Sequence, residues 1–172
     1  MRSIWDRPAA VKLTTLEILG TMGGTKALQA VGNAAKATNA EMQDTATRLL
    51  GEWMTVDAGP VLLEVAKTPG ARYQTRALRG YIRLARQFSM PPGQRAAMCR
   101  AALEAAQRDE EKKLVLQVLE RYPSIDTLKL AVEAAEDPSL KQEAGRIAPV
   151  IAKKIRGKSA DVQELLDRLG QP

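Results

Sequence analysis

The 172-residue chain has no histidine and one cysteine, Cys99. Without histidine there is no imidazole for general acid-base work, no Ser-His or Cys-His nucleophile and no His-ligated metal. A lone cysteine forms neither an internal disulfide nor a thiolate metal cluster, and among Ala97, Met98, Ala101 and Ala102 it reads as a small buried hydrophobe. Aromatic residues are scarce: two Trp, three Tyr and one Phe. No apolar run approaches the roughly 18 residues that span a bilayer, so membrane insertion is not expected. The opening Met1–Pro8 stretch lacks the apolar segment of a signal peptide.

What is present points to helices. Hydrophobic residues make up 45% and charged residues 27%, and the apolar set is dominated by Ala and Leu. That balance supports a packed core and favours close helix packing over sheets, which draw on β-branched and aromatic residues. Leu140, Ala144, Ile147 and Ile151 recur at helical spacing. Prolines at Pro69-Gly70, Pro91-Pro92-Gly93, Tyr122-Pro123-Ser124 and Asp137-Pro138 mark breaks between helices. Ser124 and Ser159 read as N-caps; with Thr127 rather than Glu or Gln three residues on, no full capping box is expected at Ser124.

The chain also repeats itself. A shift of 31 residues aligns Leu19-Gly20 with Leu50-Gly51, Met22 with Trp53, and Ala35-Lys36 with Ala66-Lys67. The same shift carries Gln43, Ala46 and Arg48 to Gln74, Ala77 and Arg79, and shifts of 38 and 29 extend the register through Val115 to Ala144. First helices are expected to begin near Pro8, Ala40, Ala71, Glu110 and Ser139, and second helices near Thr25, Asp57, Pro92, Ser124 and Ser159. This divides one domain, 1–172, into units 8–38, 40–69, 71–108, 110–137 and 139–170. Pairs that cannot bury their apolar faces alone do so by stacking, which is the logic of an α-solenoid.

The period, the Leu-Gly near the close of the first helix, the Ala-rich second helix ending in Ala-Lys, and the Asp137-Pro138 turn resemble HEAT repeats. The resemblance implies an all-α fold, an α-solenoid of about five HEAT-like antiparallel helix pairs forming an α-α superhelix. More narrowly, Leu49–Met54 and Arg76–Ile82 resemble HEAT-like arrays of large multidomain bacterial proteins. Many of those are exported, and some carry carbohydrate-active or sugar-binding modules. Where HEAT first helices usually open on Val-Arg, this chain has Met42-Gln43, Tyr73-Gln74 and Leu140-Lys141. The first unit starts without a polar capping helix, which suggests an excerpt of a longer chain in which Trp5 packs on a further neighbour.

The candidate binding residues form a stripe, Arg72, Arg76, Arg79, Arg83 and Arg86, at spacings that share one helix face over roughly 21 Å. It reads in two ways. One is a ridge for phosphates, acidic glycans or an acidic protein. The other is a charge ladder between repeats, since Glu41, Arg72 and Glu110 hold equivalent positions and Glu52 corresponds to Arg83. Arg76, Arg79 and Arg86 lack acidic equivalents and are the better ligand candidates.

Lys153, Lys154, Arg156 and Lys158 complement the dipole near the end of a long helix, and Asp109-Glu110-Glu111 does the same at a helix start. Gly23-Gly24-Thr25-Lys26 reads as an interhelical turn. A net charge of +6 permits nucleic-acid binding without requiring it. No catalytic, cofactor or metal residues are expected. The second helices would offer Lys26, Gln29, Asn33, Glu64, Arg95, Glu104, Lys129 and Glu133 to a partner, a mixed polarity suited to a protein. The expected function is a non-enzymatic interaction or scaffold module. The alternatives are polyanion binding through the arginine stripe, or a spacer in a larger exported protein.

Overall fold

The structure, a computed structural model, describes residues 8–155 and 160–169. Trp5, Arg156, Lys158 and Ser159 lie outside the described residues. The chain is all-α. Its helices are α1 (Ala9–Met22), α2 (Thr25–Ala35), α3 (Ala40–Gly51), α4 (Gly59–Lys67), α5 (Gln74–Gln87), α6 (Pro92–Ala105), α7 (Asp109–Arg121), α8 (Ile125–Ala134), α9 (Lys141–Lys154) and α10 (Ala160–Leu169). A short 3-10 turn, Val56–Ala58, precedes α4, and no strand occurs among the described residues.

Local chemistry sets the boundaries. Gly23 and Gly24 both take positive φ, 68° and 86°, which lets the chain reverse between α1 and α2. Asn39 caps α3 by accepting the Met42 amide at 2.9 Å. At α8 the sequence expectation fails, because a capping box is present. Ser124 Oγ accepts the Thr127 amide at 3.1 Å, and Thr127 Oγ1 accepts the Ser124 amide at 2.9 Å. The short threonine hydroxyl does here what Glu or Gln usually does, because Thr127 is buried against the turn it closes. Asp137 accepts the Ser139 amide at 2.9 Å, so the Asp137-Pro138 break is held by a side chain as well as by the proline.

The chain forms two compact units, residues 1–84 and 85–172. In the first, α1 packs on α2 and α3, α2 on α3, and α3 on α4. Its core includes Leu16, Val31, Leu50 and Leu62. Gly80 permits close approach of α5 to α3: a Cβ there would lie 3.0 Å from the Gly51 Cα. In the second unit α6 packs on α7 and α8, α7 on α8 and α9, and α8 on α9 and α10. Leu116, Leu119, Leu128, Leu140, Ile147 and Ile151 fill that core. Thus α1 in the first unit, and α6, α7 and α8 in the second, each meet the next helix and also the next but one.

Candidate functional site

The arginines divide by what holds them. α5 begins at Gln74, so Arg72 lies in the turn before the helix and not on its face. The Gln74 side chain donates to the Ala66 carbonyl at 2.7 Å and pins that turn to the end of α4. Arg72 stands 5.7 Å from the centre of the Tyr73 ring, with Arg76 4.7 Å from the same ring. Arg76 also donates to the Asp44 carboxylate at 2.8 Å and to the Asp44 carbonyl at 3.1 Å. The hydrogen bond from Arg76 holds the Asp44 carboxyl below its ordinary value.

Arg83 donates to the Trp53 carbonyl at 2.6 Å, two residues past the end of α3. Arg79 and Arg86 are exposed, and the Arg86 carbonyl accepts the Tyr122 hydroxyl at 2.5 Å.

One expectation needs correction. Arg76 has an acidic partner, one position off the strict register, and a register count misses it because a long side chain reaches past its exact counterpart. Arg83 also reaches the Trp53 carbonyl, one residue past its register counterpart Glu52.

Charge ladders do run between like helices. Arg48 pairs with Glu17, Arg76 with Asp44 at 2.8 Å, and Arg146 with Glu120 at 3.1 Å. Lys36 pairs with Glu64 at 2.7 Å and Arg100 with Glu133 at 2.5 Å. Each such exposed pair contributes about 0–1 kcal/mol, and together they favour one stagger of helix on helix.

Arg95 is a second correction in kind. It is 5% exposed and does not belong to a partner-facing surface. Its guanidinium donates to the Ala85 and Phe88 carbonyls, in and just past the last turn of α5, and lies 3.6 Å from the centre of the Tyr122 ring. A buried cation is tolerated there because carbonyls that α5 leaves without amide partners, the negative end of its dipole and an aromatic face surround it. The signal was in the sequence: Met98, Cys99 and Ala102 follow Arg95 at three, four and seven residues, and all are buried.

Of the other residues offered by the second helices, Lys26, Gln29, Asn33, Glu64, Glu104 and Lys129 are exposed, and Glu133 is half-buried. The Cys99 thiol is buried, and burial pushes it up to about 12, outweighing the nearby Arg95 charge. In the first turn of α7, Glu111 is buried and takes a two-pronged bond from Arg108, at 2.8 and 2.6 Å. Lys153 and Lys154 stand in the last turn of α9.

No group of His, Cys, Asp or Glu among the described residues could hold a metal ion. No described helix is long and apolar enough to cross a membrane. A cavity of about 240 Å³ in the second unit is walled by the Arg100–Glu133 and Lys112–Asp137 pairs, whose charges already answer one another. In comparisons with known proteins, no family model, curated protein or solved structure matches the chain.

Proposed function

We propose that the chain is a non-enzymatic protein-interaction or scaffold module, a short HEAT-like α-solenoid whose second helices carry the partner-facing surface. The observation that supports this reading is the packing of like helices within each unit: α1 on α3 in the first, and α6 on α8, α7 on α9 and α8 on α10 in the second. Helix pairs stacked in this way bury apolar surface against their neighbours and leave long helix sides for partners. On those sides Lys26, Gln29, Asn33, Glu104 and Lys129 mix charge and amide groups. A protein surface can match that mixture, whereas a polyanion would ask for one sign. Arg76 and Arg83 already serve protein acceptors, which favours a structural part for these two members of the arginine stripe.

The test is capture from the native host at low salt on the immobilised chain, followed by titration of the captured protein. Saturable binding that weakens when Lys26 and Lys129 are reversed to Glu fits the proposal; absence of any saturable partner counts against it. Heparin and duplex DNA serve as controls. Were all five arginines to meet phosphates, log K against log salt would slope by about −4 to −5. Such a slope, abolished by Arg76→Glu with Arg79→Glu, would replace the protein reading with polyanion binding.

A further inference from the structure

Arg95 is a buried cation that no described carboxylate answers. Its guanidinium donates to the Ala85 and Phe88 carbonyls and stacks on the Tyr122 ring, 3.6 Å from its centre. These partners are neutral, and among the described residues they take two of the five N–H groups that a guanidinium carries. Other buried or half-buried charges of the second unit are matched: Glu111 by Arg108, and Lys112 by Asp137. A charge taken out of water is costly unless an opposite charge meets it, and Arg95, at 5% exposed, departs from that pattern.

Arg95 is not sealed into the core. With Arg121 from the last turn of α7 and Tyr122 it lines a cavity of about 220 Å³, whose apolar wall is Met90, Pro92 and Pro123. Arg121 is exposed, stands 5.7 Å from the centre of the same ring and forms no ion pair with a described residue. Two arginines therefore line one cavity that has no carboxylate in its lining. The cavity walled by Arg100–Glu133 and Lys112–Asp137 is the contrast, since its charges are matched within the chain. Asp126, in the first turn of α8, is close by: its Oδ2 lies 3.7 Å from where a Gly93 Cβ would stand. It lies outside the lining and pairs with neither arginine, so it weakens the positive field without filling the cavity. The Tyr122 hydroxyl donates to the Arg86 carbonyl at 2.5 Å, and the Tyr122 carbonyl accepts the Thr127 hydroxyl at 3.0 Å. Both bonds hold the ring and its turn in place, so the cavity is formed before anything enters it.

Size and wall chemistry select the occupant. A volume of about 220 Å³ is below the roughly 300 Å³ at which pockets for drug-sized ligands begin, so it suits a compact group. A guanidinium fork matches the two oxygens of a carboxylate. Phosphate carries more charge and would shed hydration against a methionine and two prolines at a cost. A carboxylate on a short aliphatic stem gives its charge to the arginines and its stem to Met90, Pro92 and Pro123.

We propose that the cavity between the start of α6 and the α7–α8 turn binds a compact organic carboxylate, with Arg95 and Arg121 as the cations that recognise it. The carboxylate belongs to a free aliphatic acid or to the end of a polypeptide chain. The inference goes beyond the interaction-module reading and does not depend on it; capture through Lys26 and Lys129 tests that reading separately.

The probe is isocaproate, titrated at low chloride into the full 172-residue chain labelled with nitrogen-15. Isocaproamide is its neutral counterpart, and N-acetyl-leucine stands in for a chain end. We expect saturable shifts with a midpoint below about 10 mM at the Tyr122 and Ser124 amides and at Arg95 Nε. Arg121→Glu, an exposed change that spares the buried Arg95, should weaken binding by about tenfold or more with unchanged helical circular dichroism. Asp126→Asn should strengthen it by removing a repulsion. N-acetyl-leucine binding at least as tightly as isocaproate makes the natural ligand a chain end; weaker binding makes it a free acid, and the proposal stands in both cases. No saturation below about 10 mM, equal binding of isocaproamide, or indifference to Arg121→Glu would overturn it. So would phosphate or chloride binding the same residues as tightly as isocaproate, which makes the cavity a general anion site, or weaker binding in Asp126→Asn.

Discussion

α1 and α9 each pack one side into their own unit, yet their exposed sides are opposites. α1 shows Val11, Ile18 and Met22 to solvent, whereas α9 shows Lys141, Gln142, Arg146 and Lys153. Arg146 is further tied to Glu143 at 2.7 Å and to Glu120 at 3.1 Å, and both carboxylates raise its pKa. Packing a helix into a stack requires an apolar stripe on the buried side alone; the other side is free to be polar. α9 uses that freedom and α1 does not. The difference teaches that the same register position can lie open on one helix and covered on another: Ile18 of α1 is exposed where Leu49 of α3 is buried.

The sharpest way to break this comparison is to cut the same register position in α1 and α3. Leu49→Ala should cost about 2–5 kcal/mol, because Leu49 is 9% exposed and closed over by Gly20 of α1. Ile18→Ala, one repeat earlier, should stay within about 0.5 kcal/mol of the parent, since it removes exposed surface from a helix that favours alanine. Urea midpoints measured side by side decide it. Equal losses would mean that Ile18 is covered within the isolated chain, and the contrast between the two helices would fall.

A second contrast sets two arginines of one charge in two roles. Arg95→Ala leaves the Ala85 and Phe88 carbonyls without their donor inside the second unit, and should cost about 1–3 kcal/mol. Arg76→Ala breaks an exposed rung with Asp44 and should cost about 0–1 kcal/mol. Thermal melts of the two variants check the order, and a reversal would mean that the ladder, not the buried cation, holds α5.

These contrasts also show where sequence was legible. Helix order came through because Pro69-Gly70, Pro92 and Pro138 sit at the breaks between helices. Buried Cys99 followed from its alanine surroundings. Arg95 was misplaced because residue type was allowed to outvote helical phase: its own stripe of Met98, Cys99 and Ala102 pointed inward. Arg76 was misread because ion pairs form wherever long side chains reach, not at exact register equivalents. The α1 surface was missed for another reason. Whether Ile18 is covered depends on what stands beside it, and local pattern gives an exposed isoleucine and a buried leucine the same spacing.

Two glycines refine the comparison of close approach with open surface. At Gly80 an added Cβ lies 3.0 Å from the Gly51 Cα, where backbone must yield, whereas at Gly145 of α9 it meets nothing within 4 Å. Gly80→Ala should therefore lose about 1–2 kcal/mol, overpacking outweighing the gain in helix propensity. Gly145→Ala should gain up to about 1 kcal/mol from propensity alone. Stability of the same sign in both variants would contradict the tight α3–α5 contact.

The smallest effect is expected in acid, at the turn that leads into α9. Asp137 accepts from Lys112 at 2.6 Å and from the Ser139 amide at 2.9 Å, and these bonds, the lysine first, lower its carboxyl from 3.8 to about 2. The folded value lies below the unfolded one. The stabilisation is therefore complete above the ordinary carboxylate range and is lost as pH falls from near 4 towards 2. Asp137→Asn cannot titrate, so its stability curve should be flatter than the parent's across that window and lower than the parent's at neutral pH. Denaturant midpoints at pH 7, 5, 4 and 3 test both halves. Parallel curves would mean that Lys112 and Ser139 hold Asp137 no more firmly than water does, and the polar anchoring of α9 would rest on Arg146 instead.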